Sequence, residues 1–271
     1  MNAVPCTFYE AMFPLAQTFT PFDIVAQLSG RLGELAANFV EKDYTQLIAI
    51  SDAGAMVLNR KKSIILTDHQ NPKYCSNVKV LFRCVESIPP VSLIPKVYKK
   101  VNLKCPLFLN LVTPANKAWL DLFASFQNLH CLTFAEHNKE NRAFLKNVLD
   151  TKRLFFLELN HVSCDDEMLE ILGGFLVQED LKCMRFNAAL GRENEKRILN
   201  HVMKVWRQEA PRMSEKPLFL LDSLTSEDIV EAGLVSGPNP HTYYGQQGAN
   251  WVQLCHNRQS GEKKVTVLRF Q

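Results

Sequence analysis

Residue types that could do chemistry are plentiful in this sequence, but their spacing does not assemble a known site. Seven histidines and eight cysteines (Cys6, Cys75, Cys84, Cys105, Cys131, Cys164, Cys183, Cys255) are scattered along the chain. Zinc needs ligands one helical turn or one tight loop apart, and neither C-x-x-C nor H-x-x-x-H occurs. No G-x-S-x-G turn presents a serine, and neither a P-loop nor G-x-G-x-x-G offers backbone amides to a phosphate. Leu234-Val-Ser-Gly-Pro238 places a serine near His241, the raw pairing of nucleophile and base. Its surroundings, Ser236 to Gly248, are rich in Gly, Pro, Asn and Gln and read as a loop. Asp165-Asp166-Glu167 could ligate a cation, but acids at a helix start more simply offset the positive end of its dipole. The expectation is therefore no catalytic residue, no cofactor and no metal.

Recognition has better support. Leu129-His-Cys-Leu-Thr-Phe134, Leu154-Phe-Phe-Leu-Glu-Leu159 and Leu181-Lys-Cys-Met-Arg-Phe186 share the pattern L-x-x-φ-x-φ, with φ a large apolar residue. Their first leucines lie 25 and 27 residues apart. Leu107 and Leu109 supply a weaker earlier copy. On a strand, side chains alternate, so the fourth and sixth positions face the core and the third and fifth face away. The fifth positions form one outward column, Phe108, Thr133, Glu158 and Arg185; the third form another, Cys131, Phe156 and Cys183. An aromatic anchor beside charges of both signs suits a protein-binding surface. Two alternatives stay open: Glu158 and Arg185 pair only with each other across adjacent strands, or Phe156 is covered by the N-terminal β section.

The elements that must position these columns follow from periodicity. Each strand pattern precedes apolar residues at helical spacing: Trp119, Leu120, Leu122, Phe123; Phe144, Leu145, Val148, Leu149; Met168, Leu169, Ile171, Leu172, Phe175; and Ile198, Leu199, Val202, Met203, Val205, Trp206. A unit of strand, loop and helix cannot bury its own apolar face, so successive units stack with parallel strands. An ordinary α/β layer without solenoid curvature is the other reading. Ser163-Cys-Asp-Asp166 reads as a variant capping box, with Gly173-Gly174 relaxing the middle of the helix it opens. The array is expected over residues 103 to 206.

Upstream, Ile24, Leu28, Leu32, Leu35, Ala36 and Phe39 recur at helical spacing, and the first forty-odd residues predict two or three short helices with Glu41-Lys42-Asp43 as their polar exit. Short β-branched runs at 47–50, 55–58, 63–66 and 78–82 predict a small β section. Pro89-Pro90 and Pro95 mark residues 86–100 as an internal boundary. Downstream, Thr225-x-x-Asp228 opens a helix ended by Gly233, and Trp251–Leu254 with Val265–Phe270 predict a closing hairpin.

The opening Val4-Pro5-x-x-Phe8-Tyr9-Glu10, the short β section, the leucine-rich βα units and the closing hairpin together resemble the nematode F-box and F-box-associated (FTH-type) proteins. That resemblance implies a substrate-recruiting subunit of a cullin-type ubiquitin ligase, meeting the ligase adaptor through residues 4–39. The same apolar helical face could instead pack on the β section. The expected fold class is α/β: a leucine-rich-repeat-like parallel βα array with an N-terminal helical segment, a small β section and a C-terminal β-hairpin. Its parts are 1–43, 44–100 and 101–271.

The leading expectation is a non-enzymatic interaction protein, and the composition is that of an ordinary globular chain. The chain is 271 residues, 46% apolar and 22% charged, which excludes wholesale disorder. A surplus of only +3 does not suggest nucleic acid. Arg60-Lys61-Lys62 and Lys99-Lys100 lack interleaved aromatics and read as solvated turns. No apolar run suits a membrane span, and unpaired cysteines without a leader suit a reduced cytoplasmic or nuclear setting. The alternative function is an α/β enzyme with an unrecognised site at the strand ends.

Overall fold

A computed structural model describes residues 22–61, 64–66, 70–84, 87–151, 154–186, 191–213, 215–221, 224–239, 241–260 and 263–271. The chain is mixed α/β, with parallel strands alternating with helices and antiparallel strands at its C-terminal end. It divides into two compact units, the first ending at His130 and the second beginning at Cys131.

In the first unit, α1 (Phe22–Val25) and α2 (Arg31–Lys42) are short separate helices, as the apolar spacing predicts. Gly30 sits at φ 84°, a left-handed conformation that glycine adopts without penalty, and this turns the chain between them. Ile24 and Leu28 are consequently exposed, whereas Ala36 and Phe39 are buried with Leu32, Leu35 and Tyr74 around them. Phe39 and Tyr74 stand 6.1 Å apart, ring to ring. The residues Val4 to Glu10 that carry the F-box likeness lie outside the described residues.

Strands β1 (Tyr44–Ser51), β2 (Gly54–Lys61) and β3 (Ile64–Leu66) form an antiparallel meander. β4 (Cys75–Phe82) returns to the free side of β1 and pairs with it in parallel. β5 (Leu107–Leu111) continues the parallel order beside β4. The Pro-rich stretch that the sequence marks as a boundary lies inside this unit, leading into α3 (Ile94–Lys100) between β4 and β5. α4 (Lys117–Ala124) follows β5, and the Asn116 side chain accepts the Trp119 N–H at its start. Trp119 and Phe123 close over Phe82 at 5.4 and 5.5 Å, a buried aromatic triad.

The second unit begins within β6 (Leu129–Ala135) and alternates strictly: α5 (Lys139–Thr151), β7 (Phe156–His161), α6 (Asp166–Leu176), β8 (Cys183–Phe186), α7 (Arg192–Met213) and β9 (Pro217–Leu221). The four strands pair in parallel in chain order. Leu132, Phe134, Leu157, Leu159, Met184, Phe186, Leu218 and Leu220 are all buried, at the positions the alternation assigns to the core. The run at 218–221, beyond the array expected over residues 103 to 206, is the next parallel strand, and β9 also pairs antiparallel with the last strand.

Three further expectations need correction. The cap of α6 is Asp165, whose carboxylate accepts the Met168 N–H at 3.0 Å, and Ser163 lies before the helix. Gly173 and Gly174 do not loosen α6. A Cβ at Gly173 would meet His201 of α7 at 2.8 Å, and one at Gly174 would meet Leu149 of α5 at 2.8 Å, so glycine lets neighbouring helices close in. The stretch 236–248 is not a loop throughout. After α8 (Ser226–Glu231), which has the expected Thr225–Asp228 capping box, β10 (Val235–Ser236) and β11 (Thr242–Gln247) pair antiparallel. Thr242-Tyr243-Tyr244 are strong strand formers, and Tyr243 is buried opposite Leu254, which outweighs the flanking turn residues. β12 (Asn250–Ser260) and β13 (Lys263–Phe270) then pair as the expected closing antiparallel strands.

One buried cation ties two helix ends together. Lys216 is 4% exposed, and its ammonium donates to the carbonyls of Leu176 (3.0 Å), Arg212 (2.7 Å) and Gln178. Leu176 ends α6 and Arg212 lies in the last turn of α7, where unpaired carbonyls and the negative end of the dipole favour a cation. Burial, with Lys182 and Arg212 nearby, pushes the Lys216 pKa from its ordinary 10.5 down to about 8.

Two outcomes follow. Leu157→Ala should cost about 2 to 5 kcal/mol in chemical denaturation, because the side chain has no exposure and leaves a cavity; a loss below about 0.5 kcal/mol, the range of surface changes, would contradict this packing. For Lys216, the unfolded chain holds the extra proton between about pH 8 and 10.5 while the folded chain releases it, so this group makes stability rise with pH there. Melting curves should show that upward slope in the wild type and a flatter one in Lys216→Met.

Candidate functional site

The face of β6–β9 turned away from the buried leucines carries the outward columns. Cys131, Phe156 and Cys183 stand in register on β6, β7 and β8, and so do Thr133, Glu158 and Arg185, with Phe219 extending the second row onto β9. All seven are half-buried, the state of a sheet face with no helix over it among the described residues. Phe108, expected in the same column, lies on β5 of the first unit, opposite Lys79, whose ammonium sits 6.0 Å from its ring centroid. Within the second unit, the structure therefore brings together Thr133, Phe156, Glu158 and Arg185.

Arg185 is the centre of this face. Its guanidinium lies 5.2 Å over the Phe219 ring, an attraction of cation to ring face. Glu158 holds the neighbouring register position. Burial pushes the Cys183 thiol up to about 11; Arg185 opposes the shift and Glu158 adds to it. Cys183 is thus a neutral thiol with Arg185 and Glu158 near it, and no thiolate nucleophile arises there at neutral pH.

Beside Phe219, the face deepens into a cleft of about 560 Å³, lined by Glu215, Pro217, Phe219, Arg269, Phe270 and Gln271. Arg269 faces Pro217 across the β13–β9 pair, on the side of the sheet that carries Phe219. Glu215 has φ 66° and donates its N–H to the Phe270 carbonyl at 2.8 Å. That turn sends Lys216 into the core and leaves Glu215 at the rim. Among the described residues, neither Arg269 nor Glu215 has an ion-pair partner. The cleft therefore offers one cation, one anion and an aromatic wall to a ligand.

Sequence reasoning missed Glu215, Phe219 and Arg269. Alternation alone turns Phe219 and Arg269 outward, in Leu218-Phe-Leu-Leu221 and Val265-Thr-Val-Leu-Arg-Phe270. What it could not supply is that strands more than forty residues apart are neighbours.

The strand ends hold the other concentration of charge. Arg142 donates to Glu136 (2.7 Å), Ser163 (2.6 Å), Asp165 (2.7 Å) and Glu167 (2.8 Å), and Glu136 also accepts the Ser163 N–H at 2.7 Å. The Met168 N–H, then Arg142, hold Asp165 below the ordinary carboxylate range. A second knot joins Arg192 to the buried Asp228 through two bonds, 2.8 and 3.0 Å, and Arg192 chiefly lowers that carboxyl's pKa. Carboxylates held ionised by arginine are poor general acids or bases at neutral pH, so both knots act as clasps between loops. Asp165-Asp166-Glu167 accordingly meets arginines: Arg197 takes Asp166 at 2.9 Å. Ser236 lies in β10 paired with Tyr243, and His241 occupies the turn before β11. Among the described residues, no group of three His, Cys, Asp or Glu side chains is placed to hold a metal ion, and no helix is long and apolar enough to cross a membrane.

Comparison with known proteins brings no match, since no family model, curated protein or solved structure matches this chain.

Proposed function

We propose that this protein is a non-enzymatic interaction module, and that the uncovered face of β6–β9 with its adjoining cleft receives a segment of a partner protein. The observation that carries this reading is the continuous row Thr133, Glu158, Arg185 and Phe219 leading to the cleft, with Phe156 one step away. A buried aromatic or arginine anchor contributes most of the energy in such interfaces. The strand-end carboxylates, where an enzyme of this architecture would keep its site, are engaged in ion pairs instead, which supports binding over catalysis.

The resemblance to F-box-associated proteins gives the partner a class: a protein recruited to a cullin-type ubiquitin ligase. The adaptor contact would then use residues 4–39. Ala36 and Phe39 of that stretch are buried within the first unit, so the contact rests on residues 4–21 and on the exposed Ile24 and Leu28.

Immunoprecipitation of the intact protein followed by mass spectrometry should return a partner. Phe156→Ala or Arg185→Ala should weaken its capture about tenfold or more while the melting temperature stays nearly unchanged, since both side chains are half-buried on the uncovered face. Equal loss of capture and of folding would assign these residues a structural role. For the ligase reading, the precipitate should contain the adaptor, and the double change Ile24→Asp with Leu28→Asp should remove it from an otherwise folded protein. Unchanged adaptor capture would exclude that contact.

A further inference from the structure

The chain's positive charge is not spread evenly. Residues 87–120 contain five lysines and no Asp or Glu, more than the whole chain's surplus of +3. Lys117 is engaged by Asp121 at 2.9 Å. Lys96, Lys99, Lys100 and Lys104 are exposed, and none has a carboxylate partner among the described residues. Lys96, Lys99 and Lys100 are spaced i, i+3, i+4 on α3, so their ammoniums emerge from one side of the helix, while Val97 is buried beneath them.

The same segment exposes apolar side chains: Ile88 at 39%, Val91 at 52%, Tyr98 at 47% and Leu103 at 41%. Single exposed apolar residues are ordinary, but four within one basic stretch make a surface of mixed character. The segment is also held firmly. Trp119, fully buried, donates its indole N–H to the Pro89 carbonyl at 2.8 Å, and the Asn102 N–H donates to the Gln46 side chain at 3.2 Å. Asn102 also bonds the Pro72 carbonyl and the Lys104 N–H, each at 3.2 Å. A surface already ordered loses little entropy when a partner docks.

We infer that residues 88–104 form a second docking surface, which takes an acidic segment of a partner protein with apolar residues set among its carboxylates. Charge complementarity fixes the sign, because these four lysines have no carboxylate partner among the described residues and an acidic segment would neutralise them. The chemistry also selects among anions. The stretch has no arginine, whose planar fork suits phosphate, and only one aromatic, too few for stacking bases. Its apolar side chains are about half-exposed, a depth suited to packing against other side chains and shallow for insertion among lipid chains. Glutamates at helical spacing on a partner would meet Lys96, Lys99 and Lys100 together, with Tyr98 and Val91 against the apolar residues between them. This surface is in the first unit and stands whether or not the face of β6–β9 binds.

The test uses the full chain and a fluorescein-labelled peptide with glutamates at the spacing of Lys96, Lys99, Lys100 and Lys104 and leucines between them, followed by fluorescence anisotropy. Saturable binding is expected that weakens with added salt, falls about tenfold or more in the double variant K99E/K100E, and falls in Tyr98→Ala. Both variants change exposed side chains and should keep the wild-type melting curve, which is measured alongside. The same peptide with glutamine in place of glutamate should bind at least about tenfold more weakly. Equal binding of the glutamine peptide, no effect of K99E/K100E, or no saturable binding would overturn the inference. So would tighter, K99E/K100E-sensitive binding to phosphatidylserine vesicles or to single-stranded poly-uridine, which would assign the surface to lipid or to RNA.

Discussion

Parallel pairing is the constraint on which the second unit depends. Two parallel strands cannot be joined by a tight turn, so each must be followed by a crossover, and a right-handed crossover repeated in one direction always lands its helix on the same side. α5, α6 and α7 accordingly pack against one another in chain order, over Leu132, Leu157, Met184 and their neighbours. Glycine at 173 and 174 gives that layer room, since a methyl group at either position would make the His201 or Leu149 side chain of the adjoining helix shift. Among the described residues, the other face of β6–β9 has no crossover to cover it, and its partial exposure follows from the same rule that buries the first.

Stacking βα units leaves polar debt at the loops, and arginine and lysine settle it. Arg142 gathers groups from the ends of β6 and β7 and the start of α6, while Arg192 joins the start of α7 to the capping box of α8. At the opposite ends of the helices, Lys216 satisfies carbonyls from the last turns of α6 and α7. Its removal would leave buried carbonyls without donors, which costs more than the bonds themselves contribute. These residues hold the loops at fixed positions; carboxylates match the charges of Arg142 and Arg192, whereas Lys216 meets only carbonyl dipoles.

Local pattern made part of this fold legible. L-x-x-φ-x-φ followed by helical spacing located β6, β7, β8 and the helices behind them, and it assigned the inward and outward faces, because alternation of side chains is local geometry. Pairing is not local, and there the sequence was silent: β9 joins β8 and β13, and β4 returns beside β1. The same limit hid the cleft, whose lining residues are separated by about fifty positions. Cap identity failed for a different reason. Ser163 and Asp165 are both good caps, and Arg142 decides between them by drawing Ser163 and the free side of Asp165 into its own cluster. At Tyr243, burial against Leu254 won over turn-rich surroundings, a tertiary effect invisible in a local window.

Alternation also separates the demands of folding from those of recognition. Glu158 lies between the buried Leu157 and Leu159, Arg185 between Met184 and Phe186, and Phe219 between Leu218 and Leu220. Each outward residue can therefore change without touching the core beneath it, because its neighbours on the strand already fill that layer. Small polar residues such as Thr133 would serve an uncovered face well. Phe156 and Phe219 do the opposite, holding aromatic surface against water at positions where the helix layer gives no cover. Cation and ring compensate each other in part where Arg185 covers Phe219. Phe156 has no comparable guanidinium above it among the described residues, and under the proposed function it is the partner that completes the burial of its ring.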